Sequence, residues 1–89
     1  MNAEVVLTAI GADRVGIVDD ISQALLEHSC NIEESRMALL GGEFAMIMLV
    51  SGNAGSVDSL ERDLERLSTA IGMELTLKRT QQSSGSVEG

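Results

Sequence analysis

The hydrophobic positions of this chain fall into six short patterns, separated by glycines and polar residues. From residue 4 to residue 10 the chain is almost entirely Val, Leu, Ile, Ala and Thr. A run that short and that rich in β-branched side chains predicts a strand. Val5, Leu7 and Ala9 share one face, and Val6, Thr8 and Ile10 share the other. Both faces are largely apolar, which suits the middle of a sheet. Gly11 breaks the run. Over about residues 14–28, Ile17, Val18, Ile21, Ala24, Leu25 and His28 recur at helical spacing, with Asp19, Asp20, Gln23 and Glu27 mostly opposite. Asp13 is placed to cap that helix.

Residues 31–39 read as a second strand. Glu33, Glu34, Ser35 and Arg36 make it polar enough to be an edge. Gly41-Gly42 is a hairpin turn signal. Residues 43–51 form a third strand whose stretch 44–50 is apolar on both faces, so it too belongs at the centre. A loop over 52–55 follows. Ser56 is placed to cap a second helix running to Ile71, where Val57, Leu60, Leu64, Leu67 and Ile71 make one stripe. Asp58 and Arg62 are spaced for a surface pair. Gly72 stops the helix. Residues 73–79 alternate Met73, Leu75 and Leu77 against Glu74, Thr76 and Lys78, the pattern of a half-buried edge strand. Residues 1–80 thus make one domain, and 81–89, all Gln, Ser, Gly, Val and Glu, are expected to be a disordered tail or linker.

The order β-α-β-β-α-β is that of an α+β, ferredoxin-like sandwich. Right-handed crossovers place two helices on one face of a four-stranded antiparallel sheet, with the first and third strands central. The face away from the helices is then apolar on the central strands, with no segment of this chain to cover it. A partner sheet or a second copy is the natural cover.

Composition narrows the function. The chain has 89 residues, a single aromatic (Phe44), no Trp, Tyr or Pro, and a net charge of -8. Binding to a phosphate backbone needs cations, and single-strand binding needs aromatic platforms, so no direct nucleic acid contact is expected. Cys30 is alone, so no internal disulfide forms, and the cytoplasm is the expected compartment. The longest apolar run is too short to span a membrane, and the start of the chain lacks a signal-peptide pattern. No cysteine pair offers a metal site, and the loop after the first strand has one Arg where a phosphate cradle would need more. Cys30 and His28 are near in sequence, but one starts a strand and the other ends a helix. No catalytic group and no cofactor is therefore expected. Met37, Met46 and Met48 read as core or interface filler, and Glu61, Asp63 and Glu65 as a solvated helix face.

The best candidate for a site is the loop from Gly11 through Ala12, Asp13, Arg14, Val15 and Gly16 to Ile17. It leaves a central strand and opens a helix, where free backbone amides can receive a carboxylate. Gly16 either admits a ligand close to the backbone or only permits tight helix–sheet packing. Asn31 either eases the helix exit through a left-handed backbone, or lies near the same helix opening or across a dimer seam.

The segment Leu7-Thr8-Ala9-Ile10-Gly11-Ala12-Asp13-Arg14-Val15-Gly16-Ile17-Val18, followed by Cys30-Asn31-Ile32-Glu33-Glu34-Ser35, resembles the ACT domain family. The stretch from Met37 through Gly41-Gly42 to Met46 looks most like the branch that contains the glycine cleavage system repressor. The resemblance implies a regulatory module without catalysis of its own that senses an amino acid or similar metabolite. It implies side-by-side pairing as a homodimer or with a second ACT domain, and a protein regulator as a further partner. Carried over position by position, it points to Asp13, Arg14, Val15, Gly16, Ile17, Asn31 and Ile32 as ligand-binding. The alternatives are an interaction module that needs no ligand, or the regulatory piece of an amino-acid or folate enzyme.

Overall fold

The computed structural model describes residues 2–80; the expected tail at 81–89 lies outside the described residues. The elements are β1 (Asn2–Ala12), α1 (Ile17–Glu27), β2 (Asn31–Leu40), β3 (Glu43–Asn53), α2 (Ala54–Arg62), α3 (Leu64–Ile71) and β4 (Glu74–Arg79). The strands form one sheet in the order β2-β3-β1-β4, antiparallel throughout. The two strands with apolar faces on both sides are central, and the polar and alternating ones are edges, as the pattern requires. This is the ferredoxin-like arrangement.

The core lies between the sheet and the helices. Val5, Leu7 and Ala9 of β1 and Phe44, Met46, Met48 and Val50 of β3 point into it. Ile17, Ile21, Ala24 and Leu25 of α1, Val57 and Leu60 of α2, and Leu67 and Ile71 of α3 close it from above. Cys30 and Met73 fill its margins. No buried residue among those described is polar, so side-chain dispersion and water exclusion hold the layers together. Gly41 and Gly42 both take positive φ (58° and 83°), which the two-residue hairpin demands and which few other residues adopt.

The structure departs from the pattern at the helices. α1 begins at Ile17 and not near Arg14, and its N-cap is Gly16, so Asp13 does not cap it. The cap of α2 is Asn53, whose side chain accepts from the Ser56 amide at 2.8 Å; Ser56 is the donor there. The second helix is two helices, so three lie on the sheet and not two. The break falls at Asp63, whose amide is shared between the Ser59 and Leu60 carbonyls (3.1 and 3.2 Å). The stripe of leucines continues through the break, which is why periodicity alone runs across it. Asp58 pairs with Arg79 on β4 at 2.7 Å, and not with Arg62.

Two methionines that face each other test the burial. Met46 and Met37 are register partners on the helix side of the sheet, yet Met46 is 4% exposed and Met37, on the edge strand, 59%. Met46→Ala is expected to cost about 2–5 kcal/mol in urea unfolding of dilute protein. Met37→Ala should cost less than about 1 kcal/mol.

Candidate functional site

The loop between β1 and α1 sits at one end of the sheet, above the start of β3. The Asp13 amide donates to the Gly42 carbonyl at 3.1 Å, tying the loop to the β2–β3 turn. Gly16 has φ 86° and nothing within 4 Å of where a Cβ would be. It is therefore a glycine for its backbone angle, and the tight-packing reading does not hold. Its carbonyl takes the first helical bond, from Asp20, at 3.0 Å. No side chain caps α1, so the amides at its first turn, Ile17 to Asp19, face the opening without one.

A shallow cleft of about 250 Å³ lies over these amides, lined by Asp13, Arg14, Gly16, Ile17, Val18, Asp19 and Phe44. Ile17 and Phe44 are core residues that form its floor. A second depression of about 280 Å³ adjoins it through Asp13 and Phe44 and runs onto Met37, Ala38 and Leu39 of β2. Val18, Asp19 and Phe44 were not among the residues singled out from sequence. Phe44 carried a usable signal, being the only aromatic residue and two positions beyond the turn.

Arg14 does something other than wait for an anion. One guanidinium nitrogen donates to the carbonyl of Ile71 at the end of α3 (2.7 Å) and to Asp20 (2.8 Å), and the other to Val15 (3.2 Å). A cation on the last carbonyl of a helix offsets the negative end of its dipole. With Arg14 so engaged, Asp13 and Asp19 set the charge of the cleft. Val15 projects freely at 97% exposure.

Asn31 and Ile32 lie elsewhere. Asn31 pairs with Ser51 at the far end of the sheet, whereas the loop adjoins the end of β2 at Leu39 and Leu40. Eight residues of strand separate them, roughly 27 Å at ~3.4 Å per residue. Within one chain the loop residues come together and Asn31 stays apart. Ile32 is half-buried against the core.

A polar clamp outside the cleft holds the helices. His28, at the end of α1, donates from Nε2 to Asp63 Oδ2 at 3.0 Å, and its Nδ1 is 3.1 Å from Ser59 Oγ. A carboxylate only accepts, so Nε2 carries the proton. Asp63 also takes both a 2.7 Å bond from Arg66 Nε and a second, shorter one from the same guanidinium. Asp63 is thus not part of a solvated face: it is the joint between α1, α2 and α3. Arg66, and behind it His28, hold the Asp63 carboxyl down to about 2, against the opposing push of partial burial. Cys30 meets His28 only through the backbone carbonyl, at 3.5 Å, and burial pushes its thiol up, away from the reactive thiolate. Among the described residues no cluster of His, Cys, Asp and Glu could hold a metal ion, and no helix is long and apolar enough to cross a membrane.

A four-stranded antiparallel sheet with its helices on one face and a cleft at the first strand–helix loop is the frame in which the relatives of this chain can be compared. Residues 3–78 match the family model described as ACT domain, and this chain belongs to that family. It is 43% identical over 75 residues to the glycine cleavage system transcriptional repressor of Escherichia coli, covering 84% of this chain and 40% of that protein. It is 40% identical to a UPF0237 protein of Methanopyrus kandleri, covering 82% of this chain and 83% of that one. A solved structure of a candidate glycine cleavage system transcriptional repressor superposes with a TM-score of 0.85 at 31% identity, covering 98% of this chain and 51% of that one. The chain therefore spans less than half the length of the E. coli repressor it matches. It is a regulatory ACT domain related to that repressor and to the UPF0237 proteins.

The clamp has a pH signature. Because the folded carboxyl of Asp63 titrates near 2, below its ordinary 3.8, the stabilisation is fully present above about pH 4 and is lost as pH falls toward 2. Asp63→Asn should flatten the acid limb of a stability–pH curve over that window, measured by urea midpoints. An unchanged limb would mean that the joint carries no such linkage.

Proposed function

We propose that this domain senses a small zwitterionic amino acid in the cleft at the start of α1, and that the site is completed by a second copy or a second ACT domain. The observation that carries the reading is the charge layout of the cleft. Uncapped helix amides at Ile17 to Asp19 suit a carboxylate, while Asp13 and Asp19 beside them suit an ammonium group. A simple anion would be repelled by those same carboxylates, because Arg14 is committed to Ile71 and Asp20. A volume of about 250 Å³ fits a small amino acid and not a nucleotide.

β2 supports the pairing. It is a ten-residue edge, exposed along almost its whole length, and it carries exposed Met37, Leu39 and Leu40 beside the cleft. A long open edge of this kind invites another strand. Antiparallel addition of a second β2 about a two-fold axis brings the start of one strand beside the end of the other. The partner's Asn31 then arrives next to Leu39 and the cleft, with an amide able both to donate and to accept. In this arrangement Asp13, Gly16 and Ile17 of one copy and Asn31 of the other form one site. Ile32 anchors the strand, and Arg14 and Val15 frame the loop.

The output passes to a protein. Four of the six cations, Arg14, Arg36, Arg66 and Arg79, are already tied to carboxylates, and the net charge is -8. Little remains to hold nucleic acid, so the domain acts through a protein regulator in the cytoplasm. Its likeness to the E. coli repressor supports control of glycine cleavage as the setting.

A thermal-shift panel of free amino acids tests the reading. A ligand at ten times its Kd adds about 1.4 kcal/mol. For a domain of this size that raises Tm by roughly 5–10 °C. One or more small amino acids should produce the shift, their N-acetylated forms should not, and Asp13→Asn should remove it. No shift across the panel, with no heat in calorimetry, would overturn the proposal; equal binding of N-acetylated forms would overturn the role of Asp13 and Asp19.

A further inference from the structure

The sheet face turned away from the helices carries a pattern that the cleft does not use. The strand register lays it out in rows. One row runs Glu34, Leu49, Val6, Lys78 from β2 to β4. The next runs Arg36, Ile47, Thr8, Thr76, and the one after it Ala38, Ala45, Ile10, Glu74. Within these three rows the two central columns are apolar except for Thr8, with Glu4 and Ser51 beyond one end and Glu43 beyond the other, and Ile10 and Ile47 are each 48% exposed. Within the three rows charge lies only on the flanks. Glu34 and Arg36, paired at 3.1 Å, mark the β2 side, and Lys78 and Glu74 mark the β4 side. Two shallow depressions, about 250 and 230 Å³, flank Ile47 and Arg36.

We propose that this face docks on the same face of a second copy, with the two-fold axis parallel to the strands. Such an axis exchanges left and right but keeps the rows in step, so β2 lies over the partner's β4. Glu34 then meets the partner's Lys78, and Arg36 lies one row from the partner's Glu74. By symmetry each contact occurs twice. In the centre Ile10 falls over the partner's Ala45 and Leu49 over the partner's Val6, so large side chains oppose smaller ones. Two sheets stacked this way sit ~10 Å apart and are rotated by about 30°, within reach of these long charged side chains.

The other in-plane axis, perpendicular to the strands, keeps the columns in step and reverses the rows, so it sets Lys78 over the partner's Glu74. It stacks β2 on β2 in reverse and sets Arg36 against the partner's Arg36. Only the axis parallel to the strands brings Glu34 onto the partner's Lys78 and keeps the two Arg36 side chains apart, so charge exchange at Glu34 and Lys78 distinguishes the two packings. The stacked interface leaves the backbone edge of β2 untouched. It is therefore separate from the edge-to-edge seam of the ligand site, and both can form in one assembly.

Charge reversal tests the proposal by sedimentation equilibrium of the full chain over a range of concentrations. Glu34→Lys and Lys78→Glu should each weaken self-association roughly tenfold, and the double reversal should restore most of it. Both positions are exposed, and thermal unfolding of dilute variants confirms that they fold. Leu39→Glu, on the seam, serves as the comparison. Single reversals that associate like the parent chain, a double reversal no better than either single, or a parent chain monomeric at every concentration would each overturn the proposal. Amino-acid binding at the cleft is read separately by calorimetry, so failure of one claim leaves the other standing.

Discussion

The β1–β3 ladder is the constraint on which the rest of the molecule depends. Eleven residue pairs join the two strands from Asn2↔Asn53 to Ala12↔Glu43. Every second residue on one side is sealed beneath the helices, while Val6, Ile10, Ala45, Ile47 and Leu49 on the other side have no cover from the described chain. The three described helices cover one face only. The sheet also ends on one side in β2, a long strand with its outer edge open. Among the described residues two surfaces are thus left open, one a face and one an edge.

The cleft follows from the same ladder. Where β1 ends, the chain must turn up onto the helix layer, and Gly16 makes that turn with a left-handed backbone. The turn leaves the first amides of α1 pointing over Phe44, with Asp13 held in place by its bond to Gly42. Arg14 reaches past the cleft to brace the end of α3, so loop and helix layer are mechanically joined at Ile71. At the opposite end, His28, Ser59 and Asp63 join α1 to the α2–α3 break. α1 is therefore gripped at both ends, which keeps its N-terminus presented in one position.

Much of this was legible in the residues. Doubly apolar strands at residues 4–10 and 43–51 read as central, and they are. Gly41-Gly42 read as the turn, and Gly72 as the helix stop, and both hold. The loop from Asp13 to Ile17 read as the opening of a helix, and a cleft lies over it. What was hidden depended on contacts remote in sequence. The partner of Arg14 is a carbonyl 57 residues away, which no local pattern reveals. The break at Asp63 interrupts no hydrophobic stripe, and the carboxylate there bonds a histidine 35 positions earlier. Asn31 read as a helix-exit residue, or as one lying near the helix opening or across a dimer seam. Strand register puts it at the other end of the sheet from the helix opening, so in the proposed site it comes from a second copy.

That last point leads to the central proposal, a ligand site shared between two copies. Amide chemical shifts recorded while an amino acid that raises Tm is titrated into the protein test it most directly. The account predicts that Ile17, Val18 and Asp19 move together with the Asn31 backbone and side-chain amides, along one saturation curve. Movement of the helix amides alone, with Asn31 unchanged at saturation, would contradict it.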